Sequence, residues 1–132
     1  MGAQVTASAL LAEMRVQSVP ASIQSIPTNG DNQDVVTMGT IGARRTAHLI
    51  ALFEQLLAID ALMVAQALEL RGDTVQRSDA VEQLYRWVRC QAPALESDRA
   101  LSAEIEHLAE CMRASGELTA HMPAFDDAQK GH

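Results

Sequence analysis

Aromatic side chains are nearly absent from this chain: Phe53, Tyr85, Trp87 and Phe125 are the only ones. Any core must therefore be built from Leu, Ala, Val, Ile and Met, a composition that favours helices over sheets. Cationic residues are also scarce, with 10 Lys and Arg against 17 Asp and Glu for a net charge of −7. The only dense cationic spot is Arg44-Arg45, too little to meet phosphates, so nucleic acid and anionic membranes are not expected as partners. Cysteine is limited to Cys90 and Cys111, which fall in separate predicted helices without metal-type spacing. They are expected to be reduced, buried thiols of a cytoplasmic protein. His48, His107, His121 and His132 contain no pair at i, i+4, and no metal site is expected. No cationic start followed by an apolar run and a small-residue cleavage site opens the chain, so no signal peptide is expected.

What is present is a helical pattern. The 132 residues are 48% hydrophobic, enough for the core of one small domain. Val5, Ala9, Leu10 and Ala12 to Met14 recur on the faces of a short helix over 3–17. Residues 18–33 form a loop, since Pro20 and Pro27 favour extended backbone before them. From about Val35 to Arg71 the chain reads as one very long helix, stopped at Gly72-Asp73. Its apolar residues Leu49, Leu52, Phe53, Leu56, Ile59, Met63, Ala67 and Leu70 advance in steps of three and four. Ile50, Leu57, Leu62, Val64 and Leu68 widen that stripe into a near-complete girdle. Glu54, Asp60 and Glu69 make bilayer insertion costly, so the helix is expected to be buried against other helices. The remaining short helices cannot cover it alone, which predicts a helical bundle formed with copies of this chain or with a partner. Early in this helix, Gly39 and Gly42 are expected to permit close helix packing.

Ser78 or Asp79 can cap a helix over about 79–91, ended by Pro93. A last helix over about 102–115 carries Ile105, Leu108, Ala109 and Met112, and 119–132 is a tail. The predicted fold is all-α, a single helical unit with one very long central helix.

The chemically suggestive stretch is the entry to the long helix, Ser25-Ile-Pro-Thr-Asn-Gly-Asp-Asn-Gln-Asp-Val-Val-Thr-Met-Gly39, followed by Ala43-Arg-Arg45. A loop that feeds a rigid helix is a good place for ligand-facing groups. On spacing alone, Asp31 or Asn32 reads as a helix cap. The string as a whole resembles a signature of the aromatic amino acid ammonia-lyases and aminomutases, which use a self-made methylideneimidazolone electrophile. The resemblance extends to Ala3-Gln-Val-Thr-Ala-Ser-Ala-Leu-Leu-Ala-Glu13, Leu57-Ala-Ile-Asp60, Ala65-Gln-Ala-Leu-Glu-Leu-Arg71 and Ser97-Asp-Arg-Ala-Leu-Ser102. It covers almost the whole chain and matches the C-terminal part of that family.

That resemblance implies that Asn32 and Gln33, with Asn29 beside them, are substrate-binding amides near the electrophile. Neutral amides hydrogen-bond ligand and cofactor without adding charge. Histidine-specific members tend to carry Glu at the position of Gln33, so Gln33 implies a phenylalanine- or tyrosine-type substrate; Asn29, where plant-type members carry Glu, leaves lyase and aminomutase both open. Asp34 is expected to be helix-start charge and Arg44-Arg45 to form interhelical ion pairs. The resemblance further implies that the electrophile, formed by cyclisation of an Ala-Ser-Gly triad, and the proton-abstracting tyrosine lie only in the missing N-terminal half of the family enzyme. No catalytic residue and no cofactor are therefore expected in this chain. The Ala114-Ser115-Gly116 triplet reads instead as a helix C-terminus. The resulting expectation is a C-terminal fragment or subunit, inert alone, that homo-oligomerises through its long helix and joins a triad-bearing N-terminal subunit, with an aromatic amino acid as ligand once the site is complete. The alternatives are a non-catalytic, self-associating helical protein of that descent and an aromatic amino acid binding module.

Overall fold

A computed structural model describes residues 2–72 and 76–115. Four α-helices follow one another among the described residues: α1 at Gly2–Gln17, α2 at Gly39–Arg71, α3 at Asp79–Gln91 and α4 at Ser102–Ser115. No strand accompanies them among those residues, and the all-α expectation holds. The expected tail over 119–132, with His121, Phe125 and His132, lies outside the described residues, as do Asp73 and Gly116. Contacts divide the chain into two compact units, Met1–Leu56 and Leu57–His132, the division falling inside α2.

In the first unit, α1 ends where the Ser18 N–H donates to the Met14 carbonyl at 3.0 Å and the Ser18 hydroxyl to the Arg15 carbonyl at 2.8 Å. A short 3-10 helix at Ala21–Gln24 follows Pro20. Arg45 donates from Nη1 to the Val19 carbonyl at 3.1 Å, and His48 Nε2 lies 3.3 Å from Glu13 Oε1. Arg45 therefore serves to tie α2 to the preceding loop, where an interhelical ion pair was expected.

The long helix begins at Gly39, later than the pattern's Val35. The break is Met38, at φ 52°, a left-handed residue that a right-handed helix cannot pass through, while the Val36 N–H before it is satisfied by Ser25 Oγ at 2.8 Å. The first turn closes from the Gly42 N–H to the Met38 carbonyl at 3.0 Å. Asp34 thus lies before the helix and supplies no first-turn charge, and α2 has no acidic residue there. Neither glycine is pressed by a neighbour. A Cβ at Gly42 would meet nothing within 4 Å, and one at Gly39 only Thr37 Oγ1 at 3.6 Å. The close packing expected of them does not occur among the described residues. At its far end α2 stops as expected, with Gly72 at φ 64° supplying the left-handed residue that releases the helix.

The second unit holds the core. Ala58, Leu62 and Ala65 of α2 advance by four and three, so they share a face, and they pack with Val88 and Ala92 and with Leu108 and Ala109 of α4. Four of these seven side chains are alanine, which lets helices approach without large aromatics. Tyr85, Trp87, Ile105 and Met112 seal the rim. Ser78 caps α3, its Oγ accepting from the Val81 N–H at 3.4 Å, and Ala92 ends the helix in extended backbone before Pro93.

A polar clamp borders this core. Arg89 grips Glu69 with two bonds, Nε to Oε1 at 2.8 Å and Nη2 to Oε2 at 2.9 Å, while the Tyr85 hydroxyl donates to Oε1 at 2.8 Å. Gln66 accepts the Leu95 N–H at 2.8 Å, fixing the segment after Pro93 to α2. Burial raises the Glu69 pKa, but the hydrogen bonds of Arg89 and Tyr85 and the charges of Arg89 and Arg77 outweigh it, and the carboxyl ends below its ordinary value.

Burial of α2 is one-sided. Leu52, Ala58, Ile59, Leu62 and Ala65 are buried, whereas Ile50, Phe53, Leu57, Val64 and Leu70 are exposed, so the helix is not enclosed on most of its circumference. By length and composition alone it could cross a membrane. Glu54 and Asp60 carry the cost of that insertion.

Candidate functional site

The entry loop is organised by left-handed backbone. Asn29, Gly30 and Asp31 follow one another at φ 58°, 61° and 66°. Asn, Gly and Asp are the residue types that tolerate this region, glycine for lack of a Cβ and the others through local hydrogen bonding. The Asn32 N–H donates to the Asn29 carbonyl at 3.2 Å, closing a turn whose two central residues have positive φ, the mark of type I′. Around it, Thr28 and Gln33 form an antiparallel bridge, each N–H donating to the other's carbonyl at 3.2 Å. The outer neck is the bond between the Val36 N–H and Ser25 Oγ, part-buried.

This arrangement gathers Asn29, Asn32 and Gln33 on one six-residue hairpin, Thr28 to Gln33, all with exposed side chains. Neither Asp31 nor Asn32 caps α2, contrary to the reading from spacing, because Asn32 belongs to the turn and the helix starts only at Gly39. Across the bridge the Thr28 hydroxyl donates to Gln33 Oε1 at 3.1 Å. The hairpin therefore offers amide donors and acceptors, with no titratable group among the three side chains. The three amides can bind and orient a polar ligand but cannot themselves move a proton.

Sequence reasoning missed the partners of these residues. Ser25 and Thr28 act by hydrogen bonds across the loop, and hydroxyl spacing of 11 and five residues carries no helical or strand period. The run Asn29-Gly30-Asp31 was the available signal, since it favours left-handed turns.

Elsewhere, Cys90 is exposed and Cys111 half-buried, both free thiols, so neither is the buried cysteine expected. Cys111 Sγ lies 3.6 Å from His107 Nε2 and donates to Gln91 Oε1 at 3.5 Å, an i, i+4 neighbour that counting histidines alone overlooked. No group of three or more metal-ligating side chains occurs among the described residues. Ala114 and Ser115 are the last two residues of α4, and Gly116 is outside the described residues.

Comparison with known proteins agrees with the loop's signature. The family model for aromatic amino acid lyase matches residues 1–90. The tyrosine ammonia-lyase of Cereibacter sphaeroides is 54% identical over 111 residues, which is 83% of this chain and 21% of that protein. That of Cupriavidus metallidurans is 44% identical over 112 residues, 85% of this chain and 21% of that protein. The crystal structure of tyrosine aminomutase from Streptomyces globisporus superposes with a TM-score of 0.82 at 41% identity, covering 91% of this chain and 22% of that one. The chain thus spans about a fifth of the length of these relatives. With its helices, its entry loop and most of its length matched in this way, the chain belongs to the aromatic amino acid lyase family.

Proposed function

We propose that this chain supplies Asn29, Asn32 and Gln33 to the site of an ammonia-lyase or aminomutase acting on phenylalanine or tyrosine, a site completed by segments that this chain does not contain. The observation that carries the reading is the hairpin that precedes α2 in the chain, where three neutral amides stand exposed. The two relatives named tyrosine ammonia-lyase support the substrate class. Gln33 supports it too, since a neutral ring offers no imidazole for a carboxylate to bind.

The methylideneimidazolone belongs to the completing segment in this reading, and Ala114 and Ser115 serve as the end of α4. When bound, that group supplies the electrophile; the residues of this chain bind and orient the amino acid. Exposed Ile50, Phe53, Leu57, Val64 and Leu70 support assembly of α2 with further helices, from copies of the chain and from the triad-bearing subunit. The free thiols fit a reducing cytoplasm.

Affinity capture of the tagged chain from its source cells, with native mass measurement and a deamination assay on L-phenylalanine and L-tyrosine, tests this. The expected result is an inert isolated chain and an active complex with a triad-bearing protein. Recovery of homo-oligomers alone, inert and blind to Gln33→Glu, would establish the self-associating remnant instead. An aromatic amino acid binding module would show ligand binding by the isolated chain that Gln33→Ala abolishes.

A further inference from the structure

We infer that Thr28 is a positioning residue that fixes the polarity of the Gln33 amide, so that Gln33 presents hydrogen-bond donors, and the ligand group that faces it is an acceptor. A primary amide has two different ends, a carbonyl oxygen that accepts and an NH2 that donates, and rotation about the last side-chain torsion exchanges them. Which end meets the ligand decides what the ligand can be. In the hairpin, Thr28 and Gln33 stand directly opposite each other in the bridge, and the Thr28 hydroxyl donates to Gln33 Oε1 at 3.1 Å. That bond engages the accepting end and leaves the two Nε2 hydrogens facing away from it.

The consequence is chemical selectivity. An NH2 group meets a carboxylate oxygen, a carbonyl oxygen or the lone pair of an uncharged amine favourably, and meets an ammonium unfavourably, since both then present donors. Of the two polar ends of an amino acid, the Nε2 end of Gln33 thus takes the carboxylate, or the amine only after it has lost its proton, and an ammonium is left with the second lone pair of Oε1 alone. The backbone bridge holds the two Cα atoms in register whatever the side chains are. The role of the Thr28 hydroxyl is therefore separable from the integrity of the turn. The ligand part of the inference rests on the function proposed above; the amide orientation does not.

Nuclear magnetic resonance of the full chain tests it. Thr28→Val removes the hydroxyl while keeping a β-branched side chain in the bridge, and Thr28→Ser keeps the hydroxyl. The expected result is that Thr28→Val shifts the Gln33 Cδ and Nε2 signals and averages its side-chain rotamers, with the backbone signals of Asn29 to Asn32 unmoved, while Thr28→Ser leaves Gln33 as it was. Gln33 signals indifferent to Thr28→Val would overturn the inference. A second readout uses Gln33→Glu: a carboxylate accepting from the hydroxyl should titrate lower with Thr28 present than after Thr28→Val is added, and equal titration would also count against the role. In deamination assays of the captured complex, 3-phenylpropionate and phenethylamine serve as competing probes: Thr28→Val should weaken inhibition by the carboxylate compound and leave that by the ammonium compound unchanged. The reverse order would sink the acceptor assignment. An active complex that neither probe inhibits would overturn the ligand part, and capture of no active complex would speak against the proposed function, while the variants of the isolated chain still decide the orientation of the amide.

Discussion

At the scale of single residues, the entry loop and the start of α2 treat glycine in opposite ways. Gly30 sits at φ 61° between two other left-handed residues, a conformation that costs an ordinary side chain roughly 1–2 kcal/mol. Gly42 is helical and open on all sides within 4 Å, so there the glycine costs about 1 kcal/mol of helix propensity and receives no packing in return. Gly30→Ala should therefore lower the urea midpoint of the chain and Gly42→Ala raise it. If Gly42 leaves room for a ligand beside the helix start, the same Gly42→Ala that stabilises the chain should weaken activity of the completed enzyme. Glu69 provides a second residue-scale test. Its carboxyl is held below its ordinary value in the fold, burial pulling it up and Arg89 and Tyr85 pulling it further down. A depressed folded pKa contributes stability that is fully present above the unfolded value near 4.5 and is lost as pH falls through the lower folded value. Stability should decline on acidification in that window. Glu69→Gln should flatten the decline, leaving the part due to Glu82, whose pKa is lowered chiefly by the Arg86 hydrogen bond with help from Arg77.

The elements of the second unit are held by small apolar contacts and one clamp, and the two respond differently to substitution. Leu108 and Val88 are the largest fully buried side chains among the described residues, so Leu108→Ala should cost about 3 kcal/mol through lost transfer energy and the cavity left in a core already lined by alanine. Arg89→Ala should cost roughly 2 kcal/mol by leaving Glu69 partly buried without its forked partner, and Arg89→Lys should recover little of it, because one ammonium cannot make both bonds. Denaturant unfolding of the three variants checks both figures. Much of this level was legible beforehand. The caps and stops of α3, the end of α2 at Gly72 and the apolar face of α4 follow from local rules that act within a turn or two of chain. The start of α2 was not legible, because Val35, Val36 and Met38 continue the apolar pattern and nothing in the type of Met38 announces its left-handed backbone at φ 52°. The same limit applies to the site. The residue types of Asn29, Asn32 and Gln33 mark it in the sequence, but the Thr28 hydroxyl that meets Gln33 is identified only by the bridge.

For the whole molecule, the question is what covers the outer side of α2. Ile50, Leu57 and Val64 follow one another at intervals of seven, and Phe53 lies between the first two, the spacing of a seam that meets another helix. All four are exposed in the chain by itself, a row of apolar groups that water solvates poorly and that a helix from another chain would bury. Under the proposed function, this seam and the hairpin have separate tasks: the seam joins chains, and the hairpin contributes amides to the site. Leu57→Glu with Val64→Glu should therefore shift the sedimentation-equilibrium mass of the purified chain towards that of one copy, with the helical circular dichroism of the chain retained, because neither residue belongs to the buried cluster. Gln33→Ala should leave the mass unchanged and abolish deamination by the captured complex. If instead the double Glu variant kept the full mass, association would run through another surface, and the exposed seam would have to face the completing segment. In that case the same variant should fail to capture the triad-bearing protein, so one pair of substitutions, read by mass and by capture, assigns this face of α2 to copies of itself or to its partner.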